Sequence, residues 1–339
     1  MGTDMKYPDI FFTEEYQNLF KDTEFGGEPC QFTSSGIDYR FYKRHIEGTH
    51  YYDIYSPYGM SGPIAVGEFI NWGHFILAFT DYCTKENIIA EFARLHPFLS
   101  GSLRYIEEFQ SFFDFRINIY LSRGCGYSQE LVDDLFSQIP DGFPNTLSRC
   151  CHYEHDIFYV DLAQSEEQIW KGFDKGCKSA VKKQQSKLWL LFDNGDLSEW
   201  YPYFENSPNY QFGKQWLVKL LNDPHAQLIT VRNSVQTLSG AVLLTYGDYC
   251  HYFLAAGGNQ NYLLWQSIKW AKSQGCKIFN LGGGLKDGDS LESFKKSFTK
   301  TSKPFYTYRK IHDQIVYDDL CKAKGIDPNS NGFFPSYRR

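Results

Sequence analysis

At 339 residues the chain has room for two domains, and 42% hydrophobic content with 29 Phe and 25 Tyr supplies cores for both without disulfide staples. Its 34 Lys and Arg against 40 Asp and Glu leave a net charge of −6, which excludes a global basic field drawing the protein to DNA, although a local basic groove stays compatible. No run approaches the ~18 apolar residues of a membrane span, Met1-Gly2-Thr3-Asp4-Met5-Lys6 lacks the apolar stretch of a signal peptide, and the 9 cysteines form no CxxC pair. The expectation is a cytoplasmic protein with reduced thiols and no metal, since the adjacent Cys150-Cys151 beside His152 and His155 lacks zinc-finger spacing.

In chain order, Asp38 to His45 and His50 to Tyr55 read as tyrosine-rich strands around Glu47-Gly48-Thr49, a hairpin-like pattern. Ser56-Pro57-Tyr58-Gly59-Met60-Ser61-Gly62-Pro63 fixes a loop. Ile88, Ile89, Phe92 and Leu95 give Thr84 to Leu95 a helical period that stops at His96-Pro97. Leu103 to Phe109 and Arg116 to Leu121 are strand candidates, Ser128 to Ile139 a helix candidate, and Asp141-Gly142-Phe143-Pro144-Asn145 the expected boundary. Residues 1–145 then form an N-terminal domain and 146–325 a C-terminal one, with 326–339 a tail that packs on either.

Ile157 to Leu162 opens the second half as a strand, followed by a helical Glu166 to Ser186 broken near Gly176 and an extended Lys187 to Phe192. Helices follow at Leu197 to Glu205 and Gln211 to Leu221. The runs Gln227 to Arg232, Gly240 to Tyr246 and Tyr249 to Ala256 have short connections that predict an antiparallel meander. A helix from Asn261 to Gln274, a strand from Lys277 to Leu281, a strand from Phe305 to Ile311 and a helix from Gln314 to Lys324 complete an α+β pattern whose element order hints at duplication.

The chemistry concentrates at Leu281-Gly282-Gly283-Gly284, where three glycines leave a strand and a helix opens at Asp289 or Ser290. Asp289 and Glu292 resemble a capping box, and Leu291, Phe294 and Phe298 share a helical face. Lys295 and Lys296 then add positive charge suited to a phosphate or a developing oxyanion. The same residues also fit a plain strand-turn-helix connection with solvated lysines. A dinucleotide fingerprint is excluded by the missing GxGxxG spacing.

Further motifs appear in a recurring order: Ser56-Pro57-Tyr58-Gly59, Glu91-Phe92-Ala93-Arg94-Leu95-His96-Pro97, Tyr159-Val160-Asp161-Leu162, the basic segment Lys178 to Lys183, and His251-Tyr252-Phe253-Leu254. With the glycine corner and Phe294-Lys295, this order resembles the FemAB-like branch of the GNAT acyltransferases from about Tyr39 to Tyr317. The resemblance implies two GNAT-like domains with a cleft between them and transfer of an acyl or aminoacyl group to an amine in the bacterial cytoplasm. The donor it implies is acyl-CoA or aminoacyl-tRNA. The acceptor is a UDP-linked amino sugar or a peptidoglycan precursor in cell-envelope or polysaccharide synthesis.

The resemblance also implies a functional role for Lys295, with Phe294 as its partner in the pair. Gly282, Gly283, Gly284 and Asn261 are donor-side candidates. His251 or Tyr252 can relay the amine proton or be a core side chain, and strand alternation lets at most one face the site. Tyr58, Arg94, His96, Lys178 and Lys182 are acceptor-side candidates. Turn packing also accounts for Tyr58, a helix C-terminus for Arg94 and His96, and a solvated basic face for the lysines. The usual GNAT pyrophosphate loop is absent, and Gly257-Gly258-Asn259-Gln260-Asn261 stands in its place. A family member that binds nucleotide-sugar without catalysis is the rival of another class.

Overall fold

The structure is a computed structural model that describes residues 7–23, 26–99, 150–185, 187, 189–191, 197–207, 212–286, 288–330 and 332–339. The strands predicted at 103–109 and 116–121, the helix at 128–139 and the boundary at 141–145 lie outside the described residues. The chain divides into two compact units. One takes Met1–Leu19 and His155–Pro304, the other Phe20–Glu154 and Phe305–Arg339. Both ends of the chain thus depart from the simple division near residue 145: the first residues group with the C-terminal half, and the last group with the N-terminal half.

The Phe20–Glu154 unit holds β1 (Glu28–Ser34), β2 (Ile37–His45), β3 (Tyr52–Tyr55), β4 (Ile64–Ala65), α2 (Trp72–Lys85) and β5 (Ile88–Arg94). The other unit begins with most of α1 (Glu14–Phe20) and, from β6 (Cys151–Asp161), continues through α3 (Glu166–Gly172), α4 (Lys175–Gln185), β7 (Trp189–Leu191), α5 (Leu197–Glu205) and α6 (Lys214–Leu221). It ends with β8 (Ala226–Arg232), β9 (Thr237–Tyr246), β10 (Tyr249–Gly257), α7 (Gln260–Ser273), β11 (Ile278–Gly282) and α8 (Ser290–Lys296). β12 (Ser302–Ile311) returns the chain to the Phe20–Glu154 unit, which continues with α9 (Gln314–Ala323) and a short helix at Ser336–Arg338.

Within the Phe20–Glu154 unit the strand order is β1-β2-β3-β5-β12, with β4 on β2; β3 and β5 are parallel and joined by α2. Within the His155–Pro304 unit it is β6-β11-β10-β9-β8-β7; β10 and β11 are parallel and joined by α7. Each unit therefore contains an antiparallel three-strand meander, a helical crossover, a parallel strand and a neighbouring antiparallel strand, to which β4 is added on β2 in one unit and β7 on β8 in the other. That shared order is the duplication hinted at by the sequence. In each case the parallel pair needs the helix, because parallel strands cannot be joined by a tight turn.

The cores follow from the aromatic content. In the Phe20–Glu154 unit Tyr39, Phe41, Phe75 and Phe79 are fully buried, and the Phe75 and Phe79 rings, one α-helical turn apart on α2, stack at 5.8 Å. In the His155–Pro304 unit α3, α4 and α7 present Ile169, Val181, Leu263, Leu264 and Ile268 to Phe158, Ile229, Leu243 and Phe279 of the sheet. The tail residues Tyr337 and Arg338 are held by Asp53, which accepts from Arg338 Nε at 2.6 Å and Arg44 Nε at 3.0 Å.

Two sequence expectations are corrected here. The helix predicted over Thr84 to Leu95 is the end of α2 followed by β5: Glu86 caps α2, Asn87 turns left-handed at φ 54°, and the strand starts at Ile88. All but the last residue of β5 are buried, so apolar side chains occupy both faces and mimic a helical period. The break expected near Gly176 falls instead at Phe173 and Asp174, where the Asp174 N–H donates to the Ser297 carbonyl and Gly176 lies inside α4.

Candidate active site

The parallel strands β10 and β11 pair only at Tyr249, Cys250 and His251, opposite Ile278, Phe279 and Asn280. Beyond His251, β10 continues against β9 to Gly257, with a bulge between Tyr252 and Leu254, while β11 bends away at Gly282, φ 75°. The two strands thus form a fork whose base is the pair His251 and Asn280. Crevices at the carboxyl ends of diverging parallel strands are where α/β sheets bind ligands. The corresponding parallel pair β3 and β5 stays closed: Ser56 N–H donates to Phe92 O at 2.9 Å and Ser61 N–H to Arg94 O at 2.7 Å.

Gly282, Gly283 and Gly284 leave the fork on the β11 side. A Cβ on Gly282 would stand 3.1 Å from Lys295 Nζ. One on Gly283 would overlap the His155 ring and lie 2.7 Å from the Asp156 carbonyl oxygen, and one on Gly284 would lie 2.8 Å from Asp289 Oδ1. The loop is compressed against its surroundings, which is why it carries no side chains.

Asp289 caps α8 and ties the loop to it. Its Oδ1 accepts from Glu292 N–H at 2.7 Å, and its Oδ2 accepts from Leu285 N–H at 2.6 Å and Lys286 N–H at 3.0 Å. These backbone donors hold the Asp289 carboxyl below its usual range. Only half of the predicted capping box forms, because the Glu292 carboxylate turns to Gly288 N–H and Lys296. Phe294 packs on Phe298 at 5.3 Å, rotating the next residue, Lys295, under the glycine loop. Lys295 is buried, and its Nζ donates to the Gly283 carbonyl. Burial pushes the ammonium down to about 8, partly offset by the Asp289 charge.

The base of the fork is polar and buried. His251 Nε2 lies 2.8 Å from Asp9 Oδ2, His251 Nδ1 lies 3.0 Å from Asn280 Nδ2, and Asn280 Oδ1 accepts from Gly282 N–H at 2.8 Å. Asp9 and Asn280 were not singled out from sequence. Asp9 sits in the first described segment, ahead of the short helix Ile10–Phe12, 242 positions from His251. Asn280 lies inside the predicted strand Lys277 to Leu281, but its place opposite His251 is set by the pairing of β10 with β11, which the expectations from sequence do not include.

Strand alternation separates His251 from Tyr252 as expected. Tyr252 faces Phe279 and its hydroxyl donates to Gln260 Oε1 at 2.6 Å, while burial raises its phenol further from ionisation. Asn261 is half-buried in the first turn of α7. The first turn of α7 does not present all its N–H groups: Tyr262 N–H is taken by Gln184 Oε1 of α4 at 3.1 Å, and the Gln260 side chain folds back, its Nε2 donating to the Gly257 carbonyl at 3.0 Å. Lys178 donates to the Lys171 carbonyl at the end of α3, whereas Lys182 and Lys183 are exposed.

Tyr58, Arg94 and His96 belong to the Phe20–Glu154 unit. Arg94 and His96 follow from the end of strand β5, not from a helix end. The Ser56 to Ser61 loop is pinned to β5, Ser56 Oγ accepting from Arg94 N–H at 3.1 Å, and it lays the Tyr58 ring 5.7 Å from the Arg94 guanidinium. Phe92 and Tyr55, each 5.1 Å away, complete an aromatic collar. Among the described residues Arg94 Nη1 has no hydrogen-bond partner. His96 is fully buried, with Nδ1 accepting from Phe98 N–H at 3.2 Å.

Two α+β units of shared strand order, with a fork between β10 and β11, make up a fold that other solved structures share. Among solved structures the chain is similar to FemX, with a TM-score of 0.58 at 11% identity over 90% of this chain and 97% of that one. It is also similar to the C-terminal DUF2156 domain of a putative lysylphosphatidylglycerol synthetase from Agrobacterium fabrum, with a TM-score of 0.50 at 10% identity over 91% and 92% of the two chains. No protein-family model matches the sequence, and no curated protein matches it. Among the described residues no helix is long and apolar enough to cross a membrane.

Proposed function

We propose that the protein is an N-acyltransferase that moves an acyl group, from acyl-CoA, to the amine of a UDP-linked amino sugar or another cell-envelope precursor. The observation that carries the reading is the buried Lys295 ammonium held under a side-chain-free loop at an open strand fork. In the reaction the amine lone pair attacks the donor carbonyl, the C–N bond forms, the C–S bond breaks and the thiol leaves with a proton derived from the amine. The negative charge passing through the carbonyl oxygen needs a fixed positive partner in a poorly solvated place, where such a partner is most effective. Lys295 fits that role. Gly282, Gly283 and Gly284, with Phe294 and Asn261, shape the donor side. Arg94 in its aromatic collar suits an acceptor phosphate through its planar fork, alongside Tyr58 and His96.

One observation favours a second reading in which the donor is an aminoacyl-tRNA ester. Gln184 occupies an N–H at the start of α7, the position that would otherwise favour a diphosphate. The exposed Lys182 and Lys183 lie on the same helix as Gln184. Incubation with acyl-CoAs, charged tRNAs and UDP-linked amino sugars, read by mass spectrometry, tests both. An acylated sugar from acyl-CoA supports the first reading, and product from charged tRNA alone, suppressed steeply by added salt, supports the second. Nucleotide-sugar binding with no product from any pairing would leave a binding protein on the same fold.

A further inference from the structure

The proton order along Asp9, His251, Asn280 and Gly282 follows from one backbone donor. The Gly282 N–H can only donate, so the Asn280 atom 2.8 Å from it is the carbonyl Oδ1. Asn280 Nδ2 therefore points at His251 Nδ1, 3.0 Å away, and Nδ1 must be a bare acceptor. The ring then carries its proton on Nε2 and donates it to the Asp9 carboxylate, at 2.8 and 3.1 Å from the two oxygens. Asp9 is fully buried, and His251 and Asn280 are each 3% exposed.

We infer that Asp9 and Asn280 are positioning residues: the chain from Asp9 through His251 to Asn280 holds the Gly282 N–H, and so sets the turn that presents the Gly283 carbonyl to Lys295. Asp9 fixes the His251 tautomer, the tautomer fixes the Asn280 amide, and the amide fixes the loop at the residue where β11 leaves the sheet. With Nδ1 engaged by Asn280 and Nε2 by Asp9, His251 works as a strut in this arrangement, not as the carrier of the amine proton. The consequence for turnover rests on the acyl-transfer reading. The hydrogen-bond order does not.

The test combines the Gly282 amide exchange rate and the His251 ring ¹⁵N signals, measured on the full chain, with kcat and KM for the Asp9→Asn, Asn280→Ala and Asn280→Asp variants. In the wild type His251 is expected as the neutral Nε2–H tautomer with Gly282 protected. Asn280→Ala should speed Gly282 exchange on the order of tenfold, as loss of one buried hydrogen bond does. Asn280→Asp, which keeps an acceptor for Gly282, should restore the protection while altering the ring signals. Asp9→Asn, whose amide can face Nε2 with a donor, should mix the tautomers, speed Gly282 exchange and lower kcat more than it raises KM. Unchanged Gly282 exchange in both Asp9→Asn and Asn280→Ala, or an Nδ1–H tautomer in the wild type, overturns the inference. The expected exchange pattern in a protein that transfers no acyl group upholds the positioning chain and removes the acyl-transfer reading instead.

Discussion

Lys295 Nζ donates to the carbonyl of Gly283 from beneath, across a loop in which a Cβ on Gly282 would stand 3.1 Å from the same nitrogen. An ammonium in that position is costly for folding. Lowering a lysine from 10.5 to about 8 by burial corresponds to about 3 kcal/mol. Lys295→Met is therefore expected to leave the fold at least as stable as the wild type near neutral pH, by up to about 3 kcal/mol, while cutting turnover at least about a hundredfold, the usual scale for removing one charge-stabilising donor. Denaturant melts with the turnover assay check both. A loss of stability would show that Lys295 is structural.

The sign of the pH dependence follows from the same group. Between pH about 8 and 10.5 the unfolded lysine still binds its proton and the folded one has released it, so the stability contribution of this site rises with pH across that window. Turnover should move the other way, falling as pH rises through about 8, because the ammonium is the working form. The comparison of interest is wild type against Lys295→Met in urea melts at pH 7 and pH 10, where the gap between them should narrow.

Gly283→Ala is expected to destabilise the protein by about 1–3 kcal/mol, the usual cost of forcing a methyl into a packed site. The His155 ring can swing, but the Asp156 carbonyl 2.7 Å from the new carbon is backbone. Gly258→Ala serves as the contrast: nothing lies within 4 Å of its Cβ, and the change should stay within about 0.5 kcal/mol. Thermal melts of the two variants side by side give the answer.

Much of this site is legible in the sequence. The strand end near Gly282, the helix start at Asp289 or Ser290 and the opposition of His251 and Tyr252 come from local rules of spacing and capping; in the structure β11 ends at Gly282, the helix starts at Ser290 with Asp289 as its cap, and the two side chains part. Leu197–Glu205 matches its predicted helix at both ends. What local rules could not supply is long-range. Asp9 reaches His251 from 242 positions away, and Gln184 reaches Tyr262 from 78. The β5 misreading has a local cause, since a strand buried on both faces loses its period of two. The partition of the chain depends on which strand each end joins, and no periodicity encodes that.

On the acceptor side, Arg94→Lys keeps the charge but loses the planar fork and the stacking against Phe92 and Tyr55. It is expected to weaken binding of UDP-linked amino sugars about tenfold, with melting temperature little changed. Calorimetric titration of UDP-N-acetylglucosamine and UDP-glucosamine into both forms measures it. Equal affinities would remove Arg94 from the acceptor site.

The account stands most directly on one measurement: the mass of the amine acceptor after incubation with donor and either wild-type protein or Lys295→Met at equal folded concentration. An acyl adduct on the acceptor amine with wild type, and its near absence with Lys295→Met, is the predicted result. Equal adduct with both proteins, or none with wild type across acyl-CoA and aminoacyl-tRNA donors, would contradict it.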